Sequence, residues 1–371
     1  MRVLAITPTF FPEVGGLEQV VFDLALRVRE LNVTMDVAHV SSDHRRFASE
    51  SLQALRVFRV PLAGNRVFGY AAALGRLASD YDLLHVHDPQ LLALTANVRF
   101  ACRRTPAVLS THGGFWHTHQ HAWLKKLYER TLLRGSIDHY RRVLASSGSD
   151  LEYFKAYSER VELCSNGVDV RRFNAVSTAA SRSPNRWIYW GRLARNKRLD
   201  RVIASVARAR ALGHPVDLLV CGRDFDRLLD ALTAQVERSG LQDAVRFQPF
   251  LDDSALLAEL GQRGVYITAS EHEGFGLSIV EAMAAGLIVV CRDMKPLNGF
   301  LERGRSGVFL RFDGQGDDDR ALDSLCTMSA DEVAGMAACA RMAAAEHDWS
   351  HAAQRFVGHY RQVLDVPHGA H

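Results

Sequence analysis

Short runs of branched and aromatic apolar residues alternate along the chain with longer stretches whose apolar positions recur every three or four residues. In the first half the runs 3–6, 35–40, 56–60, 83–86, 107–110 and 143–145 predict strands. Between them 16–30, with Val20, Leu24 and Val28 on one face, and 121–135 and 149–156 predict helices. A polar stretch at 174–186 breaks the rhythm and reads as an interdomain linker. The alternation then restarts, with strands at 187–190, 216–221, 245–247, 265–268, 288–291 and 307–310. Helices are predicted at 198–212 and 225–238, another begins at Leu277, and helical segments run to about residue 365. Strands separated by helices in this way belong to parallel sheets with helices on both faces. The 371 residues exceed one ordinary core. The expectation is therefore an α/β protein of two doubly wound, Rossmann-like domains, 1–173 and 187–349, facing a cleft. Ligands are expected at the carboxyl ends of the strands.

The stretch 271–286, EHEGFGLSIVEAMAAG, joins the strand at 265–268 to the helix from Leu277. A strand, a glycine turn and a helix start present free backbone N–H groups and the positive end of a helix dipole to an anion. Gly274 and Gly276, on either side of Phe275, let the chain turn sharply and a ligand approach the backbone. Glu281 falls about one turn into the helix, where its carboxylate can accept two hydrogen bonds from a vicinal diol such as a ribose. Glu273, in the loop, is placed to read a sugar. These features describe a nucleotide-sugar pocket, although Gly-x-Gly alone marks only a turn.

Other loops at strand ends carry candidate groups. Gly15-Gly16 opens the first helix. Ser110-Thr111-His112-Gly113-Gly114 ends a strand, with His117, His119 and His121 close behind. Alternate histidines suggest a metal site, but no Asp or Glu lies near them in sequence, so a hydrogen-bonding loop is the preferred reading. Asn166-Gly167-Val168-Asp169 reads as a turn and hinge, with a positive φ favoured at Asn-Gly. Arg192 and Lys197 are spaced to lean over one diphosphate and neutralise a leaving group's charge. Asp224-Phe225-Asp226 imitates a metal-binding Asp-x-Asp, but it opens a helix, where capping and dipole effects account for it.

Taken in order, Gly16, His112, Asn166, Arg192, Lys197, Glu273 and Glu281 resemble the motifs of the retaining glycosyltransferases of family four, which have the GT-B fold. The resemblance covers nearly the whole chain. It implies that Gly15 and Gly16 lie against the donor's diphosphate and that His112 approaches the donor sugar. Arg192 and Lys197 would clamp the pyrophosphate, and Glu273 and Glu281 would form the family's Glu-x7-Glu. The first domain would then bind the acceptor and the second the nucleotide sugar. It further implies transfer without a metal or other cofactor, and a last helix, about 350–371, that packs back on the first domain. The segment 110–118 is also similar to bacterial exopolysaccharide mannosyltransferases that extend lipid-linked oligosaccharides. That favours GDP-mannose as donor, with UDP-glucose or UDP-N-acetylglucosamine as alternatives, and a lipid-linked sugar as acceptor.

Composition changes this picture little. Basic residues number 45 and acidic 42, so the total charge points to no nucleic-acid partner. The six cysteines are scattered without a Cys-x-x-Cys, as in a reduced, cytoplasmic protein. The opening residues read as a first strand rather than a signal peptide. The apolar run 282–291 is far shorter than the roughly 18 residues of a membrane span. Charge is, however, uneven. Between Thr95 and Ala145 nine basic residues (Arg99, Arg103, Arg104, Lys125, Lys126, Arg130, Arg134, Arg141, Arg142) face only Glu129 and Asp138. Trp116, Trp123, Leu124, Leu127 and Tyr128 are interleaved with them. This combination suits peripheral contact with an anionic membrane surface at the inner face of the cell membrane; an amphipathic helix with a solvated basic face is the plainer reading. Asp293, 19 residues after Gly274, would suit an NAD-dependent nucleotide-sugar enzyme, but Ile279 replaces the third glycine of that fingerprint. A catalytically inactive sugar-binding module is the remaining alternative.

Overall fold

The computed structural model describes residues 1–12, 15–65, 68–87, 92–113, 129–176, 182–302 and 304–365. Two compact units emerge. One comprises Met1–Gly167 with Trp349–His371, the other Val168–Asp348.

The first unit is built on β1 (Arg2–Thr7), β2 (Thr34–Ser41), β3 (Ala48–Leu52), β4 (Leu55–Pro61), β5 (Leu83–His87), β6 (Ala107–Ser110), β7 (Arg142–Ala145) and β8 (Val161–Leu163). Their order across the sheet is β8-β7-β6-β5-β1-β2-β4-β3. All neighbours are parallel except β3, which runs antiparallel to β4 at the edge. Leu4, Ile6, Leu84, Val86 and Leu109 line one face and join a single apolar core. β3 escapes a hydrophobic pattern because four of its five residues are exposed; a short polar strand protects a sheet edge from further pairing. The helix Trp349–Leu364 buries Trp349, Ala352, Ala353, Phe356, Val357, Tyr360 and Val363, a helical stripe, and packs beside the helix Gly16–Arg27.

The second unit has β9 (Arg186–Trp190), β10 (Asp217–Cys221), β11 (Val245–Gln248), β12 (Val265–Ile267), β13 (Ile288–Cys291) and β14 (Gly307–Phe309). The order is β11-β10-β9-β12-β13-β14, parallel throughout. The chain runs outward from β9 to β11, then returns to lay β12 on the other side of β9. That reversal makes the carboxyl ends of β9 and β12 the switch point, where doubly wound sheets hold ligands.

Three expectations need correction. The chain passes from one unit to the other at Gly167, not at 174, so 168–173 belongs with the second unit. Part of the supposed linker is not a solvated tether, because buried Arg182 donates to the carbonyls of Ala285 and Gly286, each at 2.7 Å. The helix expected at 225–238 starts at Leu229. Arg227 has φ +57°, which breaks helical geometry, and the Asp224 carboxylate caps the later start by accepting from Leu228 N at 2.8 Å and Leu229 N at 3.1 Å.

Candidate functional site

The loops after β9 and β12 meet at the switch point, and backbone hydrogen bonds stitch them together. Glu271 N donates to Asn196 O at 2.8 Å, and Asn196 Nδ2 donates to His272 O at 3.3 Å. Residues 195–197 form a single 3-10 turn, and Arg198 follows in the left-handed region, held by Asp200 and Glu271. This geometry delivers Lys197 onto the neighbouring loop. Its Nζ donates to Glu273 Oε1 at 2.6 Å, with the two side chains only 15% and 9% exposed. Two residues read separately from the sequence are thus one ion pair.

Glu281 is bound from the same strand. Trp190 Nε1, at the end of β9, donates to its Oε2 at 3.0 Å, and the Trp190 ring stands edge-on to Tyr266 at 4.5 Å. Gly276 is the residue before the helix Leu277–Ala284 and has φ +90°, a conformation that glycine adopts without strain. Phe275 between the glycines is buried against Phe300 and His347. It anchors the turn from beneath. Gly274 and Leu277 are half-buried at its surface. Arg192 is exposed, with its guanidinium 4.9 Å from the Phe225 ring, and its carbonyl accepts from Tyr189 OH at 2.8 Å. Burial and the Glu273 carboxylate both push the Tyr189 phenol upward, so it remains a donor. Asp226 Oδ2 accepts from Arg195 N at 2.8 Å, which ties the Asp-x-Asp to this loop as a backbone cap.

In the first unit, Gly15 is extended and precedes the helix Gly16–Arg27. Glu18 of the first helical turn is buried and folds back toward Gly15; a Cβ there would meet its Oε2 at 2.6 Å. The amide end expected to meet a diphosphate therefore already has a carboxylate beside it. His112 follows β6. Its loop is held by Asp150, buried, which accepts from Thr111 Oγ1, from Gly113 N at 3.1 Å and from Ser146 Oγ at 2.9 Å. His112 Nε2 meets His87 Nδ1 at 2.9 Å. Burial lowers His112 to about 4 and His85 to about 3, so both rings are neutral at pH 7. His85 and His87 were missed in the sequence, although His-Val-His within a strand puts both rings on one face. His117, His119, His121, Lys125, Lys126 and the aromatics around them lie outside the described residues.

Asn166 is buried, and Asp169 caps the short helix Val170–Asn174 by accepting from Arg172 N at 3.2 Å. Gly167 does not have the positive φ expected of Asn-Gly. A glycine is needed because Trp349 presses on it, leaving 2.4 Å between a would-be Cβ and the indole. Asp293, the candidate dinucleotide acid, accepts from Asn298 Nδ2 at 3.1 Å.

Residues 14–172 match the family described as Glycosyltransferase Family 4, and residues 170–338 match Glycosyl transferases group 1. The sequence is 30% identical to the GDP-mannose:cellobiosyl-diphosphopolyprenol alpha-mannosyltransferase of Komagataeibacter xylinus, over 98% of this chain and 94% of that protein. It is also 30% identical to the protein of that name from Xanthomonas campestris, over 99% and 98%. Among solved structures, sucrose-phosphate synthase from Thermosynechococcus elongatus superposes with a TM-score of 0.78 at 16% identity, covering 98% of this chain and 99% of that one. Anabaena Alr3699/HepE in complex with UDP and glucose superposes with 0.74 at 20% identity, covering 98% and 100%.

Proposed function

The chain belongs to glycosyltransferase family 4 and is a hexosyltransferase of the GT-B fold; on that premise we propose that it moves mannose from GDP-mannose onto a lipid-linked oligosaccharide in exopolysaccharide or surface-glycan synthesis. The observation that carries this reading is identity of 30% along almost the whole chain to enzymes named for that donor and for a diphosphopolyprenol acceptor. In the second unit, Arg192 and Lys197 are assigned to the donor's diphosphate and Glu281 to its ribose. Glu273 is assigned to the transferred sugar, and the turn from Gly274 to Leu277 to the phosphates. In the first unit, Gly15 and Gly16 are assigned to the diphosphate, His112 to the sugar, and Asn166 to donor binding. The transfer retains configuration: the bond from the anomeric carbon to the phosphate oxygen breaks, the acceptor oxygen bonds to that carbon on the same face, and the departing phosphate takes the acceptor hydroxyl's proton. It needs no metal, because two cations at the diphosphate neutralise the developing charge.

Purified protein, a lipid-diphosphate cellobioside and equal concentrations of GDP-mannose, UDP-glucose and UDP-N-acetylglucosamine make the test. An α-linked mannosyl product, with the other donors at least about 100-fold slower, is expected. UDP-glucose is the second reading, favoured by the UDP-bound structural neighbour. Preferred transfer from it would overturn the donor assignment.

A lipid-linked acceptor is met at a bilayer, so the basic, aromatic segment 95–145 is assigned to the inner face of the cell membrane. No helix among the described residues is long and apolar enough to cross one. The protein is expected to sediment with vesicles rich in anionic lipid and not with neutral ones. Lys125→Glu/Lys126→Glu should weaken that binding by about 1 kcal/mol per charge removed. Absence of binding, or binding that salt does not weaken, refutes the surface.

A further inference from the structure

Behind His112 lies a run of buried side chains that the donor assignments do not use. His85 and His87 project from the same face of β5 with ring centroids 4.0 Å apart, and both are fully buried. The phenol of Tyr360, also fully buried, lies 2.7 Å from His85 Nδ1, and His85 Nε2 lies 2.7 Å from Ser110 Oγ. Burial keeps the phenol protonated, so it donates to Nδ1. The single ring hydrogen of neutral His85 is then on Nε2 and goes to Ser110. That ring is fixed at both nitrogens, and His87 packs against it.

Only one hydrogen lies between His87 Nδ1 and His112 Nε2, and two arrangements compete. If His112 supplied it, the hydrogen of neutral His87 would sit on Nε2. That atom is buried and meets no hydrogen-bonding partner among the described residues. A buried N–H without an acceptor forfeits its hydration and gains nothing, and such donors are rarer in native proteins than under-used acceptors. The favoured arrangement has His87 Nδ1–H donating to His112 Nε2, with the lone pair of His87 Nε2 left unpaired.

We propose that His87 is a positioning residue that fixes the tautomer of His112, so that His112 offers an Nδ1–H donor to a hydroxyl oxygen of the transferred sugar. This rests on the assignment of His112 to that sugar. A neutral donor can read a hydroxyl without placing a full positive charge beside an anomeric carbon that is itself becoming positive.

The experiment is 15N NMR of histidine-labelled, ligand-free protein, in which two-bond couplings report the protonated nitrogen of each ring, together with steady-state kinetics. Wild-type His112 is expected as the Nδ1–H tautomer. His87→Asn, whose amide N–H stands near the place of Nδ1–H, should keep that tautomer and most of the turnover. His87→Leu should give mixed His112 tautomers and a kcat lowered about 10-fold or more, with the donor KM nearly unchanged. Wild-type His112 protonated at Nε2 overturns the proposal, as does folded His87→Leu with wild-type kcat. The wild-type spectrum needs no substrate, so it decides the tautomer even if the donor sugar is wrongly assigned, or if the leucine variant does not fold.

Discussion

Lys197→Ala is expected to damage the protein twice, once in stability and once in donor binding. The ammonium it removes neutralises Glu273, whose side chain is 9% exposed and bonded to it at 2.6 Å. A buried carboxylate stripped of its partner costs about 3–5 kcal/mol, so the second unit should unfold at distinctly lower denaturant. Affinity for GDP should fall by about 2–5 kcal/mol, because the same ammonium is assigned to the diphosphate. The two losses separate in the double variant Lys197→Met/Glu273→Gln. It removes both charges and should recover most of the stability without recovering GDP binding. Calorimetry that finds GDP and UDP affinities unchanged in Lys197→Ala would refute the phosphate assignment. Unchanged stability would mean that solvent reaches Glu273 once the lysine is gone.

Glu273→Ala should lower kcat by about 100-fold or more while the donor KM moves little, because its carboxylate is assigned to charge that appears only as the glycosidic bond breaks. Glu281→Ala should do the opposite, raising the donor KM with a smaller change in kcat. A ribose bound to Glu281 shares that carboxylate with the indole N–H of Trp190, which donates to it at 3.0 Å. Donor binding should therefore change the emission of Trp190 in wild type, and Trp190→Phe should abolish that part of the signal. If Glu273→Ala weakened donor binding and left kcat intact, the roles of the two glutamates would be exchanged.

The strands of both sheets were legible because apolar runs such as 3–6 and 288–291 are buried on both faces, which leaves no room for ambiguity. β3 and β8 were not: the exposed edge strand Ala-Ser-Glu-Ser-Leu carries no burial signal, and the three residues Val161–Leu163 bury only Val161. The helix Asp253–Gln262 was also missed; its buried residues are confined to Leu260 and Gly261, so its apolar periodicity is weak. Members of the candidate site could be named from loop chemistry, one by one. Their pairing could not. Lys197 and Glu273 are 76 residues apart and meet only because β12 returns to lie beside β9, a fact of topology. The role of Gly167 was misjudged for a similar reason, because the indole that forbids a side chain there comes from Trp349.

The helix Trp349–Leu364 has a consequence for how the protein is made. It supplies Tyr360 to a bond with His85, 275 residues earlier in the chain, yet it is synthesised after the whole second unit. On the ribosome the second unit can close as soon as Asp348 has emerged. The first, although begun earlier, waits with the flank of its sheet uncovered. The order of completion is therefore the reverse of the order of synthesis, and the uncovered sheet is the surface a nascent-chain chaperone would have to shield.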